Sequence, residues 1–437
     1  MTEQAIPYGF NIIGYASANL GLGHTTREFI RVLIDRGEPV SLLDLDAGRG
    51  RSKFDNSFAH LSVDSATELP YAVNLSFISA LDIPEVALSP LQGLRVEGRL
   101  NVAFVWWELT DLPPHWCAAA RLFDVLVAGS EFVRHTLMTH VPGVPVLLAP
   151  HPIRMPAFVT PNRQRFGLPK DGFLVYMGFE PNSDLARKNP FGAIDAFKTA
   201  FTGRQDCHLV VKVNNPNTEG KRLQQLGEMF ELIHGDPHIH LIQESLPFEE
   251  LLSLYASCDV FISLHRAEGL GLVPLEAMRL GKPVVATGWS GNLSYMNHRN
   301  ACLVDFDFRP TDENSHFYGP SSLGIEGFWA EPDIEHAAAW LRKLADDPDF
   351  RGAVGKRAAA DAARYEERAR RAEFADELKS IWEHRKITAS KNREDLRHQA
   401  KEAKVAAQQQ TLLRQIGPFK YSIKRWLERY ILWRFRR

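Results

Sequence analysis

Short apolar runs recur along this chain with helix-length stretches between them, and that alternation limits the fold more than any other feature. FNIIGYA (10–16) reads as a buried strand, TTREFIRVLIDRG (25–37) as a helix stopped by Gly37, and VSLLDL (40–45) as the next strand. NVAFVWW (101–107), DVLVAGS (124–130) and VPVLLAP (144–150) complete the set. Runs that stay apolar without alternating suit strands covered on both faces, and intervening helices make such strands parallel. This predicts one doubly wound α/β half. The stretch 151–169 carries four prolines and little periodicity, and reads as a crossing. The pattern then restarts with FLVYMGF (173–179), HLVVKVN (208–214), IHLIQE (239–244), VFISLH (260–265) and PVVAT (283–287). The reading is an N-terminal domain over 1–160, a second over 161–345, a helical segment over 346–416 and a tail over 417–437. The helical segment has no Gly or Pro from Lys356 to Ile416, with a break expected near Thr388–Ser390. Ligands of such sheets sit beyond the carboxyl ends of the strands, so two halves facing each other predict a cleft.

Bulk properties exclude several classes. A formal charge of -2 gives no global field for nucleic acid. Cys117, Cys207, Cys258 and Cys302 form no CxxC pair and read as buried thiols of a reducing compartment. The histidines form no HExxH and no zinc spacing, so no metal is expected. MTEQAIPYGF lacks a basic then apolar leader, and no apolar run is long enough to span a bilayer. The expected location is cytoplasmic, and the sequons at Asn74 and Asn292 are read as chance.

After the first strand come Gly21, Gly23 and His24, then a helix. Glycines at such a turn let backbone approach a ligand, and a helix N-terminus favours an anion, so a phosphate is the expected guest. A tight turn with no ligand is the plain alternative. A dinucleotide-binding loop is the rival: Asp44 or Asp46 supplies its acid, but Thr26 stands where it needs a third glycine. Asp44-Leu45-Asp46 also spells the metal motif of another class of sugar transferases, read here as accidental.

The second half carries the stronger signal. Glu268 and Glu276 stand eight residues apart, with Gly269, Leu270, Gly271, Leu272 and Pro274 between them. This places Glu268 in a loop at a strand's carboxyl end and Glu276 about two turns along a helix. The Gly269–Leu272 amides lie at the helix mouth, where they can bind phosphate. A loop carboxylate can accept hydrogen bonds from sugar hydroxyls, and a helical one can hold a ribose diol. The plain alternative is a polar loop before an ordinary helix.

Here the chain resembles the family 4 glycosyltransferases, whose EX7E signature Glu268 and Glu276 match. Leu280-Gly281-Lys282-Pro283-Val284-Val285-Ala286-Thr287 and Ser290-Gly291-Asn292 add to the resemblance, which covers about residues 10–375. It implies the GT-B fold, a nucleotide-diphosphate sugar donor, retention of anomeric configuration and no metal requirement. Members place basic residues early in the second half to hold the donor diphosphate, and Arg187 and Lys188 occupy that place. Electrostatic stabilisation of a departing diphosphate is the work the reaction needs. A solvated pair at a helix start is the alternative, although the helix dipole disfavours cations there. The chain departs from the family at Phe179, where many members carry a basic residue. It departs again at the first-half strand end, where Trp107-Glu108 replaces an expected histidine. Glu108 is the candidate acceptor-side residue, as a base or only as a hydrogen-bond partner, with Trp106 and Trp107 beside it; an ordinary helix-start acid is the plain alternative. His24 is a further candidate, with a satisfied structural histidine as the favoured reading, and His265 reads as a strand-end residue that shapes its loop.

The tail GPFKYSIKRWLERYILWRFRR (417–437) places Phe419, Ile423, Trp426, Leu427, Tyr430 and Ile431 at helical spacing, with basic residues off that face. This describes a basic amphipathic helix at a membrane surface; a helix packed on protein is the alternative. The combined expectation is a hexosyltransferase using a GDP- or UDP-linked sugar and a saccharide or polyprenyl-linked acceptor. It would act at the inner face of a membrane. An epimerase of the same fold, a non-catalytic nucleotide-sugar-binding subunit and a dehydrogenase are the rivals.

Overall fold

A computed structural model describes residues 6–18, 21–45, 55–88, 98–156, 158–214, 216–312, 315, 317–384 and 390–416, without the side chains of 390–393 and 412–416. Asp46, most of the expected break at 388–390 and the tail 417–437 lie outside these residues. The described residues form two compact units: those within 1–153, 321–325 and 368–416, and those within 154–320 and 326–367. Among the described residues no helix is long and apolar enough to cross a membrane.

The first unit is built on a six-stranded sheet of order β2-β1-β3-β4-β5-β6. Its strands are β1 (Phe10–Gly14), β2 (Val40–Asp44), β3 (Val73–Ser79), β4 (Leu100–Trp106), β5 (Val125–Ala128) and β6 (Val146–Leu148). All pair in parallel. Strand order reverses between β1 and β3. Five of these strands coincide with apolar runs. The sixth, β3, has no such run, because Asn74 and Ser76 interrupt VNLSFIS. These polar groups are buried, and Asn74 is bonded across the sheet. Asn11 donates to the Asn74 carbonyl at 2.8 Å, and Asn74 donates to the Asn101 carbonyl at 3.2 Å. Asn101 in turn donates to Asp124. Neighbouring strands thus meet at one level, Asn11↔Asn74↔Asn101, which pins their register.

The core of this unit gathers Phe10, Ile12, Phe29, Phe77, Phe104 and Val127. Phe374, Ala375 and Leu378 join it from the helix Phe374–His384. Phe374 lies edge-on to Phe29 at 5.6 Å. The turn before this helix, at Ala372 with φ 46°, breaks a stretch in which no Gly or Pro marks an end.

The second unit carries the sheet β12-β11-β10-β7-β8-β9. Its strands are β7 (Phe173–Phe179), β8 (Cys207–Val213), β9 (Ile239–Ile242), β10 (Val260–Ser263), β11 (Val284–Thr287) and β12 (Cys302–Val304). They too are parallel throughout. The order reverses between β7 and β10, so their carboxyl ends form the crevice in which ligands of such sheets bind. The short β12 and an antiparallel hairpin of β13 (Phe306–Pro310) and β14 (Phe328–Pro332) have no clear apolar run in the sequence. The four cysteines are buried free thiols.

Candidate functional site

The loops after β7 and β10 hold the candidate residues of the second unit. After β7 the chain turns through Asp184 into the four-residue helix Leu185–Lys188, and Asn189 ends it in a left-handed conformation. Asn189 also caps the next helix, Pro190–Phe201, accepting from Gly192 N at 3.1 Å. Arg187 and Lys188 therefore lie in a last helical turn, which eases the conflict between cations and a helix N-terminus.

After β10 the segment Leu264–Gly271 runs to the helix Leu272–Arg279, whose N-cap is Gly271 at φ 86°. Glu276 is the fifth residue of that helix, one turn in rather than two, and is buried. None of the amides of Gly269, Leu270, Gly271 and Leu272 donates to an acceptor among the described residues. Gly291 lets this segment pass, since a Cβ there would meet the Gly269 carbonyl oxygen at 2.1 Å. Tyr295 braces it from below, its hydroxyl donating to the Leu270 and Gly271 carbonyls at 3.1 and 2.5 Å.

The two loops meet at Glu268, whose backbone N–H donates to Ser290 Oγ at 2.9 Å. Its carboxylate binds Lys188 Nζ through one oxygen and lies 3.3 Å from the Arg187 guanidinium through the other. Burial alone would raise the Glu268 pKa, but Lys188, Arg187 and His265 outweigh it and hold the carboxyl at about 2. It is thus an anion at every physiological pH. The two cations differ. Arg187 is buried, with its guanidinium donating to the Ala267 and Ser183 carbonyls at 2.9 Å each and lying 5.6 Å over the Tyr318 ring. Lys188 keeps 24% of its side chain exposed. Lys188 is therefore placed to reach a ligand, whereas Arg187 is fixed by protein partners. At the family's other basic position, Phe179 is packed into the apolar core.

His265 is fully buried, and burial lowers its pKa. Its Nε2 faces the Trp289 carbonyl at 3.3 Å and Asn292 Oδ1 at 3.2 Å, both acceptors, so Nε2 carries the proton. It ties the loop after β10 to the segment after β11.

In the first unit, Gly21 and Gly23 lie within the first turn of the helix Gly21–Asp35, which begins four residues earlier than its apolar pattern suggests. Gly23 is required by packing, since a Cβ would meet the Ala18 carbonyl oxygen at 2.3 Å, whereas Gly21 faces open space. Buried Arg27 holds the same turn by donating to the Ala16 and Ala18 carbonyls at 2.7 and 3.1 Å. His24 stacks on His151 at 5.7 Å, and His151 bonds Thr25 Oγ1 at 3.0 Å. His151 follows β6 and had no signal in the sequence. Trp106 lies 6.0 Å from it, and its ring fills the space a Cβ on Gly129 would need. Glu108 is half-buried in the loop after β4. Asp44 accepts from Ser17 N at 3.1 Å, a structural use of the first acid of the DxD pattern. No group of three or more His, Cys, Asp or Glu among the described residues could hold a metal ion.

Comparison with known proteins bears on this arrangement. Residues 164–312 match the family model of the glycosyl transferases group 1. Over 145 residues the chain is 34% identical to the sulfoquinovosyl transferase SQD2 of Arabidopsis thaliana, covering 32% of this chain and 24% of that protein. Over 233 residues it is 28% identical to the D-inositol 3-phosphate glycosyltransferase of Acidothermus cellulolyticus, covering 51% and 46%. The chain thus spans less than half the length of the curated relatives it matches. The structure of Anabaena Alr3699/HepE in complex with UDP-glucose superposes with a TM-score of 0.61 at 14% identity, covering 85% of this chain and 99% of that one. The architecture is that of the GT-B glycosyltransferases. Within it, the matched segment 164–312 holds Arg187, Lys188, Glu268 and Glu276.

Proposed function

We propose that this protein is a retaining family 4 glycosyltransferase. It moves a hexose from a UDP- or GDP-linked donor to a saccharide or lipid-linked saccharide acceptor in polysaccharide or glycolipid assembly, without a metal cofactor. The observation that carries the reading is the buried Glu268 carboxylate on Lys188 and Arg187, beside four open amides at the switch point of the second sheet. Similarity to a structure solved with UDP-glucose supports a nucleotide-sugar donor.

In this reading Glu276 holds the ribose, and Glu268 with the Gly269–Leu272 amides orients the sugar. Lys188 meets the departing diphosphate, supported by Arg187. In the first unit, Gly21 and Gly23 at the start of their helix are the candidate phosphate contacts. The acceptor is served by Trp106 and by Glu108 as hydrogen-bond partner or base, while buried Trp107 holds the loop through its bond to the Asp111 carbonyl. Retention proceeds on one face, the leaving phosphate oxygen helping to take the acceptor proton. The sequence of 417–437 supports a peripheral position on the inner face of a membrane.

The test is a panel of nucleotide sugars assayed for binding and hydrolysis, with product stereochemistry read by NMR. Binding and turnover of one donor with retention is expected. Absence of binding across UDP- and GDP-sugars, or an epimerised donor as the product, overturns the reading.

A further inference from the structure

Among the described residues, four non-glycine residues have positive φ: Asp184 (77°), Asn189 (51°), Ser290 (78°) and Ala372 (46°). The first three all lie in segments that touch Arg187, Lys188 or Glu268. Such conformations cost free energy and persist where surrounding contacts over-determine them. Asn189 is anchored by a bond to the Leu264 carbonyl at 2.9 Å, and Ser290 by its bond from Glu268 N. Asp184 stands apart, because its side chain joins the turn to a distant part of the unit.

Asp184 is 2% exposed. One carboxylate oxygen accepts from Arg187 N at 3.0 Å, and the other accepts from Ser315 Oγ at 2.7 Å. Its backbone carbonyl accepts from Lys188 N at 3.0 Å. Ser315 Oγ also accepts from Tyr318 N at 2.9 Å, and Tyr318 is the ring beneath the Arg187 guanidinium. One residue therefore grips the backbones of both cations, while the connection between β13 and β14 grips that residue and one of the cations. Glycine would adopt this backbone conformation most readily; aspartate trades that ease for side-chain bonds from Arg187 N, Ser315 Oγ and Phe317 N.

We propose that Asp184 is a positioning residue: held by Ser315, it sets the turn that aims Arg187 and Lys188 at Glu268. The consequence for ligand binding rests on the donor-site reading above.

The experiment uses the full chain with S315A, D184N and D184G, each checked by circular dichroism and thermal melting. Affinities for UDP and for inorganic diphosphate are measured by calorimetry, and kcat and KM with the donor the panel identifies. S315A should weaken both ligands about tenfold, the size expected for a lost hydrogen bond to a charged group. D184N should fall less than D184G, since its amide oxygen still caps Arg187. D184G should lose at least as much affinity as S315A. Wild-type affinity in both S315A and D184G, with only a lowered melting temperature, would overturn the proposal. If the unaltered protein binds neither probe, the donor reading fails by itself. The positioning role is then decided by a melting cycle of S315A against E268Q: non-additive shifts support it and additive shifts overturn it.

Discussion

Lys188 and Glu268 lie 80 residues apart in sequence and form one hydrogen-bonded ion pair, with the carboxylate buried and the ammonium partly in solvent. The pair joins the loops at the two strands where the order of the second sheet reverses. A carboxylate so placed is held ionised by its partners, and each partner depends on it for neutralisation.

Removal of either member should therefore act on turnover more than on the fold. K188A deletes the cation that meets developing charge and should lower kcat about 100-fold or more. E268Q keeps the shape but leaves Lys188 and Arg187 without their anion, and should lower kcat by a similar factor. Steady-state kinetics on folded variants would check this, and near-normal turnover in both would refute the assignment.

Two glycines of one turn should respond in opposite ways. G23A forces a methyl against the Ala18 carbonyl and should cost about 1–3 kcal/mol of stability. G21A meets nothing and should stabilise by about 0.4–1 kcal/mol. Denaturant unfolding of the two variants would decide; equal effects would mean the turn can relax around either methyl.

Acid should weaken the first unit through its stacked histidines. Burial holds His24 at about 4, with Arg27 and Arg31 adding to it. Burial, with His24 adding to it, holds His151 at about 3. Both lie below the unfolded value of about 6.5, so the folded state binds fewer protons. Their contribution is complete above about pH 6.5 and is lost as pH falls toward the folded values. The slope should approach about 1.4 kcal/mol per pH unit for each histidine. Urea midpoints between pH 7 and 5 should fall less steeply in H151Q than in wild type; identical slopes would show that His151 protonates freely in the fold.

The proposed membrane contact gives a separate prediction. Deleting 417–437 should move the protein from membrane to soluble fractions while leaving hydrolysis of the donor unchanged. Unchanged fractionation would remove the tail from the reading.

Ten of the twelve strands in the two parallel sheets can be read from short, mainly apolar runs, because strands covered on both faces leave that mark. β3 escapes, since Asn74 and Ser76 break its apolar run and Asn74 is satisfied by partners on other strands that hydropathy cannot see. β12 escapes because its apolar stretch, 301–304, is only four residues between Asn300 and Asp305. At the site, Glu268, Arg187 and Lys188 stand out as separate candidates, but nothing local announces that they bond to one another. Asp184 is half-legible: an Asp three residues before Arg187, ahead of a short helix, is a capping pattern. Ser315, 131 residues further on, carries no signal, because its role exists only once the chain has folded. His151 is silent for the same reason.

The row of side-chain amides across the first sheet has a direction. Asn11 gives a proton to Asn74, Asn74 to Asn101, and Asn101 to the Asp124 carboxylate, so every link points the same way and ends on an anion. Such a relay is a grammar of register. The strand at its centre receives on one side and gives on the other, as a side-chain amide can. Slide any one of β1, β3 or β4 by a single residue, and its amide passes to the opposite face of the sheet, out of the row. The sheet thus writes into one line of side chains how far along its neighbours each strand lies.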